Sequence, residues 1–454
     1  MKVFRAWDPG QELLFPVSPR EWLPQDHVVY CVLDLIEELD LTGIERVYQH
    51  RDARGEKGYH PAMMTALLLY GYAIGVASSR RLERATYEDV PMRVLTGGQH
   101  PDHTRISEFR RQHLCELAEL FVQVLRVCQK AGMVTLGHVA LDGTKVKANA
   151  SKHKAMSYER MVKSERELVA EVDALLERAE RVDVEEDVRY GRGVRGDELP
   201  EELRRREERL VRLRAAKAEL EAEAAAEHGA RRGDGDDDRF AGGAPSGGGL
   251  PRHRVKTTAD GRPAAKAQRN FTDPDSRIMK HDGGFLQGYN GQLVVDEGHQ
   301  VIVAHAMTNQ APDAEHLVPM MDLVERTAGA RPRRLTADAG YWSEANAGTC
   351  DDRHIDAYIA TGRSAHGHAS APLRGRPPKH LDAKGRMSRK VRTKKGRAVY
   401  ARRKAVVEPC FGQIKGRGFR QLLLRGLDKV RGEWALMATT HNLLKYYRCA
   451  WRPA

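Results

Sequence analysis

The stretch VALDGTKVKA, residues 139–148, decides how the rest of the chain is read. Three apolar residues lead into Asp142, and Gly143 follows, where the missing side chain permits a tight turn. Beyond it Lys145 and Lys147 alternate with Val146, the two-residue period of a strand with one basic face. The stretch therefore reads as a strand ending at Asp142, a turn and a basic exit. A lone aspartate after a strand is also what a turn or cap residue looks like, so its meaning depends on what else the chain brings.

Two more acids stand in similar settings. RLTADAG, residues 334–340, is a short strand ending at Asp338. VVEPCFGQIK, residues 406–415, opens a helix at Glu408, and Lys415 two turns later lies on the same face. Between the first two acids, GFLQGYNGQLVVD (284–296) and QVIVAHAMT (300–308) read as adjacent strands joined by a turn at 296–299. A helix from about 313 to 327 follows, with Leu317, Met321 and Val324 on one face and Pro319 interrupting it. Ser343 can cap another helix, and HIDAYIA (354–360) is a further strand.

This order predicts an α/β fold. Asp142 and Asp338 fall on neighbouring central strands of a mixed sheet, and a helix packed on the sheet presents Glu408 to both. Magnesium is a hard ion and prefers carboxylate oxygens. Two such ions about 3.5–4 Å apart can activate a water or a 3′-hydroxyl and stabilise the leaving oxygen. In that arrangement Asp142 bridges the ions, Asp338 and Glu408 bind one each, and Lys415 holds a backbone phosphate.

The flanking segments are simpler. Residues 1–132 read as an all-helical domain: an apolar-periodic helix after Pro24, a helix apolar all round from Pro61, one capped by Ser79, and a long one running from His103 past Cys128. Arg80, Arg81, Arg84, Arg105, Arg110 and Arg111 either contact phosphates or are solvated. Residues 155–226 pattern as two long helices folded back on each other. That hairpin is a solvated insertion, a dimerisation element or a DNA clamp. Residues 229–268 are rich in Gly, Asp, Arg and Pro and read as a flexible linker. The catalytic domain then spans 133–447, interrupted by 155–268, and 448–454 is a loose tail. Asp273 and Asp275 read as turn residues, and His441 and Asn442 as the finish of a helix.

Composition narrows the partner. The 454 residues carry a net charge of +12, which favours a polyanion. Residues 374–404 hold fourteen Lys or Arg and one acid, Asp382. No fold follows from that run, but phosphate contact does, through Lys390, Arg392, Lys394, Lys395, Arg403 and Lys404, with Lys145, Lys147 and Lys415 from elsewhere. The six cysteines include no C-x-x-C pair, so neither a zinc site nor a disulfide framework is expected. The start is not signal-peptide-like and no run of eighteen apolar residues occurs, so the expectation is a cytoplasmic, nucleoid-associated protein without a membrane span.

Together DGTKVKANAS (142–151), NFTDPDSR (270–277), GYNGQ (288–292), DAGY (338–341) and EPCFGQIK (408–415) closely resemble the DDE transposases of bacterial insertion sequences, over about residues 25–447. The resemblance implies an RNase H-like mixed-sheet catalytic domain with an inserted helical hairpin, behind an all-helical DNA-end-binding domain. It implies Asp142, Asp338 and Glu408 as a magnesium-binding triad, with manganese as a substitute and no organic cofactor. Lys415 matches the family's lysine seven residues after the glutamate. The implied partners are double-stranded DNA, as terminal inverted repeats and target, and further copies of the chain. The family also places a tyrosine seven and an arginine four residues before the glutamate. Ala401 and Lys404 stand there, and Tyr400 and Arg403 sit one residue off. A nuclease of the same fold without strand transfer, and an inactive DNA-binding relative, are the alternatives. A glycosidase using paired carboxylates explains none of the basic run.

Overall fold

The computed structural model describes residues 18–49, 58–190, 201–233, 250–281, 283–362, 372–375, 378 and 380–453. Among the described residues seven α-helices come first: α1 (Val28–Glu38), α2 (Thr42–Gln49), α3 (Pro61–Ala73), α4 (Ser79–Glu88), α5 (Val90–Thr96), α6 (His103–Gln112) and α7 (Leu114–Lys130). The apolar α3 is the hub of this block and is buried from Met64 to Ala73. The single long helix expected from His103 is instead α6 and α7, broken at His113. That histidine is fully buried and bonded to the Tyr48 hydroxyl, so the chain bends to seat it. Arg110 is also interior, donating to the Ala77 carbonyl at 2.8 Å, which removes it from the possible phosphate contacts.

The sheet is built around β1 (Val139–Lys147). On one side β1 pairs antiparallel with β5 (Gly284–Asp296), whose outer edge carries β4 (Arg277–His281) along its first half and β6 (Ile302–Thr308) along its second. On the other side β7 (Arg334–Ala337) runs parallel to β1, and β8 (Asp356–Ile359) parallel to β7. The path β6-β5-β1-β7-β8 is an RNase H-like mixed sheet. β5 is buried on both faces from Gln287 to Asp296, which is why no two-residue alternation marks it.

Helices α10 (Leu317–Ala328), α11 (Glu344–Asp352) and α15 (Leu427–Cys449) cover the sheet. Pro319 does not interrupt α10; it sits in the first turn, where its missing N–H has no intrahelical partner to lose. The helix α15 is buried along most of its length and lies between the sheet and α7. Trp434 of α15 packs on Gly291 so closely that a Cβ there would come within 2.9 Å of the ring. Asp273 and Asp275 act as turn residues that also serve α15. Their carboxylates accept from Gly426 N (3.1 Å) and Leu427 N (2.8 Å), donors at its uncapped start. His441 and Asn442 do more than finish a helix: the Asn442 amide bonds both backbone groups of Ile302 at 2.8 Å, locking α15 to β6.

The hairpin consists of α8 (Tyr158–Tyr190) and α9 (Glu201–Gly233), with α8 running past Val182, where a break was expected. Its base is tied by β2 (Ala155–Ser157) pairing with β3 (Gln268–Asn270). Residues 250–268, expected to be loose, are held in place. Val255 fills the apolar seam of the hairpin, and the Pro251 carbonyl accepts from the Thr308 hydroxyl at 2.5 Å. The part of that segment at 234–249 lies outside the described residues. The tail is anchored too, since Trp451 is buried and donates to Asp34 at 2.9 Å. No helix is long and apolar enough to cross a membrane among the described residues.

Candidate active site

Asp142 does not end its strand. β1 continues unbroken through Gly143 to Lys147, so Gly143 is not there for a turn. A Cβ at Gly143 would lie 2.5 Å from the Gln292 amide nitrogen and 3.1 Å from Asp313 Oδ1, so this position needs glycine for room. Asp338 follows the last residue of β7 and accepts from Gly340 N at 2.9 Å, opening a short turn. Because Leu141 pairs with Ala337 across the parallel ladder, Asp142 and Asp338 are the next residues on adjacent strands. Such strands are about 4.8 Å apart.

The third acid arrives from the basic run, which folds into two helices rather than staying irregular. These are α12 (Ala383–Arg392), capped by Asp382, and α13 (Lys394–Val406), capped by Thr393. A single residue, Val407, separates α13 from α14 (Glu408–Gly416). Arg403 on α13 reaches Asp142 with one nitrogen at 2.7 Å and Glu408 with the other at 3.5 Å. The oxygens of Asp142 and Glu408 are therefore less than roughly 9 Å apart, the span of one guanidinium fork and its two contacts. Lys415 donates to the Thr144 hydroxyl at 2.8 Å, two residues along β1 from Asp142.

Burial sets the electrostatics. It pushes Asp142 up to about 6, with Asp338 adding to the rise and Arg403 opposing it. Asp338 is also raised, again first by burial, while the Gly340 N–H and Arg403 pull it down. Burial works against the charge of Arg403, yet Asp142, Tyr400, Asp338 and Glu408 together hold it above its ordinary value. The Tyr400 ring lies 5.8 Å from that guanidinium. The arginine and tyrosine facing the site are thus Arg403 and Tyr400, and Lys404 is exposed.

A fourth carboxylate, Asp313, was missed by sequence reasoning, which took it for the start of a helix. Its Oδ1 accepts from Asn290 (2.7 Å), Gln292 (2.9 Å) and Lys145 (3.3 Å). It lies close enough to Asp338 to raise its pKa. The only signal was GYNGQ, whose two amides have no apolar reason to sit in a buried strand. Lys145 is engaged by this contact and by the Ala311 carbonyl rather than projecting freely into solvent. Lys390 is also engaged, at 2.8 Å from Asp356 and over the Tyr358 ring. Arg392, Lys394, Lys395 and Lys147 are exposed.

Four carboxylates, one within β1, one just past β7, one before a short turn and one at a helix start, are a hard-oxygen donor set suited to a divalent ion. Among the described residues, however, no three such side chains already close on one point. Arg403 lies between two of them.

Residues 255–443 match a transposase DDE domain, and residues 17–112 match a transposase domain (DUF772). The chain belongs to the DDE transposases. The two matches together span well over half of this transposase. The first takes in Asp338, Arg403, Glu408 and Lys415 and begins after Asp142. DDE transposases use a divalent metal. No significant match to a curated protein or a solved structure accompanies these two.

Proposed function

We propose that this chain is an insertion-sequence transposase that binds the terminal inverted repeats of its element and performs metal-dependent cleavage and strand transfer of double-stranded DNA. It would act as a homo-oligomer at the nucleoid. One observation carries this function: Asp142 and Asp338 stand side by side on parallel strands, and one arginine ties Asp142 to Glu408.

Asp142, Asp338 and Glu408 would hold magnesium, or manganese in its place. The metal supplies Lewis acidity at the scissile phosphate and a nucleophile at neutral pH. In cleavage, water attacks phosphorus, the P–O3′ bond breaks and a 3′-hydroxyl is released. In transfer, that hydroxyl attacks a target phosphate and displaces another 3′-oxygen. Lys415, on the β1 side of α14, is positioned to pair with a non-bridging oxygen. Arg403 pairs with Asp142 and Glu408 before metal arrives and would release at least one of them afterwards. Residues 1–132 would bind the DNA ends, and Lys394, Lys395 and Lys404 are exposed and available to phosphates.

The test is incubation with magnesium or manganese and linear DNA carrying the flanks of the element, with products read at nucleotide resolution. Cuts at the element ends and joined products are expected. Cuts without joining would reduce the function to a nuclease, and absence of both would remove the catalytic function.

A further inference from the structure

We propose that the groove beyond the far end of β1 is a second contact for duplex DNA, gripping the backbone about five nucleotides from the cut and pressing Phe285 against a base step. This proposal rests on the transposase function above and adds a place on the surface to it.

The groove is a cavity of about 650 Å³ lined by Lys147, Lys152, His153, Lys154 and Arg425, with Phe285 at its rim and, among the described residues, no acidic residue in its lining. Among the described residues, Lys147, Lys152 and Lys154 have no ion-pair partner. That separates them from Lys145 and Lys390, equally basic in the sequence but spent on Asp313 and Asp356. Exposed, unpaired lysines around a concavity concentrate positive potential that attracts a polyanion.

The walls are built rather than incidental. Leu422 N donates to the Lys147 carbonyl at 2.8 Å, and the Asn149 amide to the Leu423 carbonyl at 2.7 Å. Arg425 donates to the Asn149 carbonyl at 2.9 Å, which fixes its side chain along the rim. The Asn270 amide holds the Ser151 carbonyl at 2.8 Å, and Phe271 N holds that of Lys154 at 3.0 Å. The lysines thus project from backbone tied to β1 and β3, so little backbone needs ordering on binding.

Phe285 is 66% exposed at the start of β5, opposite the exposed Lys280 on β4. A large apolar ring left in water beside a basic groove is a feature of surfaces that wedge or stack on bases. Lys147 is five residues along the strand from Asp142, about 17 Å at 3.3 Å per residue. One DNA strand advances about 3.4 Å per nucleotide. A duplex running along β1 would meet the groove about five nucleotides from a phosphate held at the acids.

The experiment uses the full chain and a duplex carrying the element end, with binding followed by anisotropy over a salt series without divalent metal. Hydroxyl-radical footprints and 2-aminopurine at positions four to six from the cut provide the position. For K152E/K154E we expect at least tenfold weaker binding, a salt slope smaller by about two, and loss of protection near position five. F285S should abolish the 2-aminopurine signal with the slope unchanged. K147Q, a milder change, should lower the slope by about one if the double variant does not fold. Unchanged affinity, slope and footprint in the folded variants would overturn the groove. Wild-type protein that protects the ends and never cuts them would overturn the catalytic function and leave the groove standing. Wild-type protein that fails to bind the duplex would overturn both.

Discussion

The α8–α9 hairpin and the acid site use the same chemical groups to opposite effect. In the hairpin Glu165 meets Arg214 and Lys217 at 3.0 and 2.8 Å, and Glu171 meets Arg206 at 2.9 Å. These pairs range from partly to largely exposed, beside a thin apolar seam of Met161, Leu168, Leu210, Leu213 and Leu220. Water already solvates such charges, so each pair adds about 0.2–1 kcal/mol. At the acid site Arg403 and Asp142 form a pair of similar length with side chains only 11% and 15% exposed. There the desolvation cost is large, and the pair holds because each charge has no other partner of opposite sign so near. Pair geometry therefore says little about function. What differs is that the site gathers more acids than its one arginine can neutralise.

The sharpest way to break this comparison is to remove one acid at a time. Asp142→Asn, Asp338→Asn and Glu408→Gln should each lower strand cleavage by about a thousandfold or more while DNA affinity changes less than about threefold, since docking uses the basic surfaces. Cleavage rates with matched binding curves decide it, and a near-wild-type rate exempts that residue from the site.

Removing the arginine comes next. Arg403→Gln should destabilise the metal-free protein by about 3 kcal/mol, because Asp142 is left buried without its partner. Manganese should restore more of the melting temperature in this variant than in wild type. Equal metal effects on the two proteins would mean that Arg403 does not stand in for a cation.

A smaller effect follows from pH. The pKa of Asp142 is raised in the folded state from 3.8 to about 6, so the folded protein holds this proton more tightly than the unfolded chain. Its contribution is fully present below about pH 4 and is lost as pH rises through 6, by about 3 kcal/mol at most. Asp142→Asn should flatten that part of the stability profile in metal-free chemical denaturation. Metal binding to wild type should weaken as pH falls through the same range, because the proton competes.

The smallest effect belongs to the hairpin. Glu165→Gln should cost less than about 1 kcal/mol and leave cleavage unchanged. A larger loss on denaturant unfolding would place the hairpin pairs in the same class as the buried ones.

How much of this was legible differs between elements. The strands around Asp142 and Asp338 were visible because a short apolar run ending in an acid breaks the pattern of an ordinary strand. The hairpin was visible from its leucine spacing. Asp313 was not, because an acid before a helix is what a cap looks like, and its partners Asn290 and Gln292 lie more than twenty residues earlier. The helices α12 and α13 were hidden by their charge, since few apolar positions mark a buried face; their caps, Asp382 and Thr393, were the available clue. The tail misled for a similar reason, because a single Trp451 carries its anchoring.

Residue order and apolar periodicity were enough for the mixed sheet, the two strand-borne aspartates and the glutamate at the head of a helix, because those are local patterns repeated along a strand or a turn. Which cations meet those acids was settled by folding alone. The way α13 packs turns Arg403 rather than Lys404 toward Asp142, and Val407 alone separates it from α14. Lys145 and Lys390 were withdrawn into ion pairs while Lys147 stayed free. Charge is written in the chain, but its partner and its solvent are set by neighbours distant in sequence, and those two decide what the charge can do.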